Sequence, residues 1–77
     1  MNKHRRTRLS ELSERIAEII SDLEEIRDEE ETAFENLPES LQESVRGQEL
    51  QEKIDGMNDI LDNLEYIPNQ ITDLINQ

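Results

Sequence analysis

The sequence predicts an all-α fold: an antiparallel helical hairpin with a short connecting helix, paired with a second copy as a dimeric four-helix bundle. Three observations carry this expectation. Leu and Ile recur at alternating intervals of three and four residues through two long segments. The segments are of nearly equal length and flank a compact Pro38-to-Gly47 connection. Each segment also carries more apolar surface than one neighbouring helix can cover.

The first segment opens after a basic leader, residues 1–8, expected to be partly disordered; residues 9–77 then form a single helical-hairpin domain. Leu9, Leu12, Ile16, Ile19, Leu23 and Ile26 form a heptad stripe that continues through Glu30, Ala33 and Leu37. Ile20 and Phe34 widen the stripe on one side. Glu30 is either a solvated residue near the helix end or a register-setting polar contact. The helix spans about 9–35, roughly 40 Å at 1.5 Å per residue.

Pro38 disfavours helix at Leu37 and suits the first turn of a new one. Leu37, Leu41 and Val45 fall four apart, and Gly47 reads as a C-cap, which gives a short helix over about 38–46. The second long helix runs over about 48–66, with a kinked or restarted continuation over about 68–76 after Pro68. Its stripe is Leu50, Ile54, Met57, Leu61 and Leu64, and a second ridge of Ile60, Ile67 and Leu74 runs beside it at seven-residue spacing. Gly56 in mid-helix costs about 1 kcal/mol relative to alanine; it either admits a close helix approach or is simply tolerated. In a monomer Ile20, Phe34, Ile60, Ile67 and Leu74 are expected to stay partly exposed, so the chain is expected to self-associate. The expected core and oligomer contacts are therefore Leu12, Ile16, Ile19, Ile20, Leu23, Ile26, Phe34, Leu50, Ile54, Met57, Ile60, Leu61, Leu64 and Ile67.

Composition bounds the function. At 77 residues the chain is one domain of marginal stability unless it associates. It has no cysteine, so no disulfide and no thiolate metal site, and no apolar run long enough for a membrane span. No apolar signal core follows the basic start, and a cytoplasmic location in a host cell is expected. His4 is the lone histidine and stands in the leader, so no Ser-His-Asp or Cys-His set can be assembled. Glu14, Glu18, Asp22 and Glu25 lie about one turn apart, but no EF-hand loop, Glu-x-x-His pair or glycine-rich phosphate loop occurs. The sequence therefore predicts no catalytic residues, no cofactor, no metal and no enzymatic activity.

Two charged features remain. Formal charge is −12, yet Lys3, Arg5, Arg6 and Arg8 place +4 on the first eight residues and leave −16 on the rest. Residues 22–35 hold eight acids against one arginine. Asp22, Glu24, Glu25, Asp28, Glu29, Glu31 and Glu35, extended by Asp55, Asp59 and Asp62 of the second helix, form a candidate acidic face for a basic partner. The competing reading is an ordinary solvated face. The leader, with Lys3, Arg5, Arg6 and Arg8, is the rival candidate, an anion-binding patch. Alternatively it pairs with Asp73 and the terminal carboxylate across the hairpin. No direct nucleic-acid or membrane binding is expected from so acidic a chain.

The basic start running into Arg8-Leu9-Ser10-Glu11-Leu12, the stretch Glu30-Glu31-Thr32-Ala33-Phe34-Glu35-Asn36-Leu37-Pro38-Glu39-Ser40-Leu41-Gln42, and Ser44-Val45-Arg46-Gly47 together resemble a family of small, largely uncharacterised bacteriophage and prophage proteins. The specific part is the Ala-Phe-x-Asn-Leu-Pro-Glu-Ser-Leu-Gln turn. The tail Tyr66-Ile67-Pro68-Asn69-Gln70 departs from the family's Glu/Ala-rich continuation. The resemblance implies a viral origin, a role against or in command of a host component, and no catalytic residues. Three functions follow as expectations. The first is a module that binds and inhibits a basic, nucleic-acid-binding host protein, by nucleic-acid mimicry. The others are an oligomeric sponge for phosphate-bearing nucleotides and a structural bundle protein.

Overall fold

The computed structural model describes residues 1–77 as α1 (Lys3–Glu35), α2 (Glu39–Gln42) and α3 (Val45–Ile75). No strand is present, and α1 packs antiparallel along α3 as a hairpin, as the sequence predicts. The molecule is a rod of 59 × 15 × 12 Å with a radius of gyration of 17.6 Å. A compact domain of this length has a radius near 11.5 Å. Elongation leaves little interior: only Gly47, Ile54 and Leu61 are fully buried, with Ile54 and Leu61 3% and 2% exposed.

The leader is helical rather than partly disordered. α1 begins at Lys3 because Asn2 caps it, its Oδ1 accepting the Arg5 N–H at 2.8 Å. Cap chemistry outweighs the unfavourable placing of cations at a helix N-terminus.

The inward row of α1 differs from the expected stripe. Leu9, Ser13, Ile16, Ile20, Leu23, Arg27, Glu30 and Phe34 are the half-buried residues that follow one another at alternating steps of four and three. Leu12, Ile19 and Ile26, expected in the core, are 45%, 55% and 50% exposed. Ile20 and Phe34, expected at the margin, lie on the inward row instead. Three parallel apolar rows run along α1, and a single partner helix covers two of them. The Ile20 row faces inward and the Ile19 row outward, and Phe34, on the inward row, lines a depression together with Ile54 and Gln51 of α3. On α3 the inward residues Gly47, Leu50, Ile54, Met57, Leu61, Leu64, Pro68, Ile71 and Ile75 keep the complementary rhythm. Ile60 and Leu74 stay about half exposed, as expected for the second ridge, while Ile67 between them is half-buried.

The connection is tighter than predicted. α2 is a single turn over Glu39–Gln42, opened by amides of Leu41 and Gln42 that donate to the Pro38 carbonyl at 2.8 and 3.1 Å. Gln42 is half-buried, and its amide donates to the carbonyls of Leu37 (3.1 Å), in the turn after α1, and Phe34 (3.4 Å), which also accepts the Leu37 N–H at 3.1 Å. Ser44 then caps α3: its hydroxyl donates to the Leu41 carbonyl and accepts the Gly47 N–H. Gly47 is therefore not a C-cap. It lies in the first turn of α3 without a positive φ, and a Cβ there would meet the Gln42 carbonyl oxygen at 2.1 Å. Its role is to let two backbones touch. At Gly56 a Cβ would meet nothing within 4 Å, so this glycine admits no close approach within the hairpin.

α3 continues through Pro68 as one helix. The proline cannot donate to the Leu64 carbonyl. Thr72 Oγ1 donates back to the Pro68 carbonyl at 3.0 Å, one turn on. Packing of the Ile67, Ile71 and Ile75 region against α1 outweighs the local preference to break.

The two glycines should respond with opposite sign. In urea unfolding followed by circular dichroism, Gly56→Ala gains about 0.5–1 kcal/mol from helix propensity, whereas Gly47→Ala loses more than that because backbone must move. Leu61→Ala costs about 2–5 kcal/mol, and Asp62→Ala stays within about 0.5 kcal/mol.

Candidate interaction surfaces

The hairpin carries three surfaces with chemistry: an apolar face, exposed acids on both long helices and a basic end. No group of three or more His, Asp or Glu side chains is arranged to hold a metal ion.

The apolar face follows from the helical rows. Leu12, Ile19 and Ile26 stand three residues beyond the Leu9, Ile16 and Leu23 row, and Ile60, Ile67 and Leu74 stand three beyond the Met57, Leu64 and Ile71 row. In an antiparallel pair, equal displacements from the inward rows emerge on the same side of the hairpin. The structure bears this out at one end, where Leu12 and Leu74 line a single shallow depression with Leu9, Met1, Arg5 and Arg8. At the other end, Arg27 reaches Asn58, which puts Ile26 at the level of Ile60. Seven residues up α1 and seven down α3 bring Ile19 level with Ile67. The result is a ladder of three apolar rungs, Leu12/Leu74, Ile19/Ile67 and Ile26/Ile60, about 21 Å long at 1.5 Å per residue.

Arg27 carries the one side-chain hydrogen bond between α1 and α3, its Nη1 donating to Asn58 Oδ1 at 3.2 Å. It is half-buried on the inward row, between Leu23 and Glu30. Its guanidinium also donates to Asp28 Oδ1, through Nε at 3.3 Å and Nη2 at 3.1 Å, forming the one ion pair in the molecule. Sequence reasoning missed this contact. The signal for it was a cation standing one turn beyond Leu23 and two turns beyond Ile20 in an otherwise acidic stretch. Glu30, also half-buried on that row, forms no ion pair.

Glu24, Glu25, Asp28 and Glu29 line a shallow patch with Ser21 and Thr32 on the outer side of α1. Asp22 stands exposed beside it, and Glu31 and Glu35 lie near the corner, around Phe34. Asp55, Asp59 and Asp62 are exposed on α3.

The basic end is helical. Lys3, Arg5, Arg6 and Arg8 are all exposed; Arg5 and Arg8, three apart on one side of α1, line the depression beside Leu12 and Leu74, and Lys3 and Arg6 do not. None forms an ion pair with Asp73 or with the terminal carboxylate.

With these surfaces described, comparison of the chain with protein-family profiles, with curated proteins and with solved structures finds no match. No helix is long and apolar enough to cross a membrane.

Removing the cross-helix contact tests its weight. Arg27→Ala lowers the unfolding free energy by about 1–2 kcal/mol through lost stem packing and the lost bond to Asn58. Arg27→Lys recovers little of it, since a compact ammonium cannot serve Asn58 and Asp28 as the planar guanidinium does. Urea titration of the two variants side by side checks this.

Proposed function

We propose that this chain is a protein-interaction module: an acidic helical hairpin that pairs with itself and binds, and inhibits, a basic host protein at its nucleic-acid site. The observation that carries the reading is the outer patch of α1. Glu24, Glu25, Asp28 and Glu29 crowd two helical turns, and the one ion pair in the chain neutralises only Asp28. An ordinary helix surface intersperses the signs and gains a few tenths of a kcal/mol per pair. Here self-repulsion is left standing, and a basic surface relieves it. Closely spaced carboxylates along a rod approach the linear charge density of a nucleic-acid strand. The resemblance of the Pro38 turn to bacteriophage proteins supports a host target.

The apolar ladder favours a second reading, a structural bundle whose charge serves only to keep it dispersed. The two separate experimentally. Capture from host lysate on immobilised protein, at about 0.05 M and about 0.5 M salt, returns basic proteins at low salt and loses them at high salt if the acidic patch binds. The quadruple variant Glu24→Gln, Glu25→Gln, Asp28→Asn, Glu29→Gln loses that capture at least about tenfold with unchanged helicity, since each charge-assisted contact contributes about 1.5–3 kcal/mol. Partners that are not basic, or capture indifferent to salt and to the variant, overturn the acidic-patch reading in favour of the bundle.

A further inference from the structure

The three-rung ladder is an uncovered apolar face, and the charges along its border point to what covers it. On α1 the exposed row bordering the ladder on its outer side reads Arg8, Arg15, Asp22 and Glu29. This order is basic towards the N-terminus and acidic towards the C-terminus. It opposes the helix macrodipole, which favours the reverse, so it does not serve α1 itself. Nor does α3 satisfy it, since none of these four residues enters an ion pair within the chain. The order is instead self-complementary under reversal. A second α1 laid antiparallel, with Ile19 against Ile19, brings Arg8 beside the partner's Glu29 and Arg15 beside the partner's Asp22.

We propose that a second copy covers the ladder about a two-fold axis running across the hairpin at the level of Ile19 and Ile67, so that each α1 lies antiparallel on the partner's α1 and each α3 on the partner's α3. This inference rests on the reading that the chain pairs with itself, and adds the arrangement. The row bordering the ladder on α3 agrees with it. The same axis sets Asn63 beside the partner's Gln70, an amide pair able to hydrogen-bond both ways. The other face-to-face arrangement has its axis along the rod and stacks α1 on the partner's α3. It would set Arg8, Arg15 and Asp22 against Gln77, Gln70 and Asn63, leaving every charge without a counter-charge. The area is sufficient for a stable pair. The hairpin exposes 5985 Å², against about 4,900 Å² for a compact monomer of its mass, and a standard interface takes about 800 Å² from each partner. The arrangement also sends the two basic ends to opposite tips of the dimer, which disfavours a shared nucleotide site built from both.

Because the chain has no cysteine, placed thiols report the geometry directly. Ile19→Cys and Ile67→Cys proteins are mixed, joined with a short bismaleimide and mapped by mass spectrometry. Links from 19 to 19 and from 67 to 67 are expected. Dimers that yield 19-to-67 links, or no link, overturn the arrangement while leaving self-association intact. A wild-type chain that sediments as a 9.1 kDa monomer at micromolar concentration overturns self-association itself. Charge exchange provides the second arm. Arg8→Glu with Arg15→Glu weakens dimerisation by about tenfold or more at low salt, because four border pairs become repulsive. Adding Asp22→Arg and Glu29→Arg restores it to within about threefold. Failure of the fourfold exchange to restore the dimer overturns the antiparallel clasp.

Discussion

Two helices can cover only one stripe on each other, and this chain carries more than one stripe per helix. That constraint governs the rest of the structure. A hairpin of two helices buries Ile54 and Leu61 completely and leaves every other large apolar side chain at least partly open. Each fully buried side chain contributes about 1.5–3 kcal/mol, a thin core for a rod of this length. The corner matters correspondingly more. Gln42, Ser44 and Gly47 join the ends of α1, α2 and α3 by hydrogen bonds and backbone contact.

The rotation of α1 about its own axis links packing to function. Turning α1 so that Phe34 and Ile20 face α3 sends Leu12, Ile19 and Ile26 to one side, where they meet Ile60 and Leu74. The same rotation leaves Glu24, Glu25 and Asp28 clear of the apolar ladder, while Glu29 borders both the ladder and the acidic patch. In the proposed arrangement self-pairing and partner binding use adjoining sides of α1 and share Glu29. A dimer formed across the ladder would bring the outer acids of two α1 helices onto a single edge, lengthening the anionic track. Arg27 stands between the two systems, with its stem on the inward row, one bond to α3 and one ion pair to the acidic patch.

Helix type, the antiparallel pairing and the position of the turn were legible in the residues. The three-and-four spacing of Leu and Ile, Pro38 after Leu37, and the matched lengths are local signals that tertiary contacts reinforce. Boundaries were less legible. Asn2 extends α1 through the leader, and Ser44 starts α3 before Gly47, because a cap is decided by one side-chain hydrogen bond that periodicity does not register. Pro68 reads as a break, yet α3 runs through it, since burial along one face outweighs one missing amide.

The sequence by itself determined an acidic, all-helical hairpin with surplus apolar surface, because helical period, turn chemistry and charge are properties of neighbours along the chain. Only the tertiary structure decided which rows are inward and that the surplus gathers on one face as a three-rung ladder. Those outcomes depend on the rotation of one helix against another. Three apolar rows on α1 are compatible with more than one rotation, and the one adopted sets Phe34 and Ile54 around one depression while the backbones of α2 and α3 touch at Gly47.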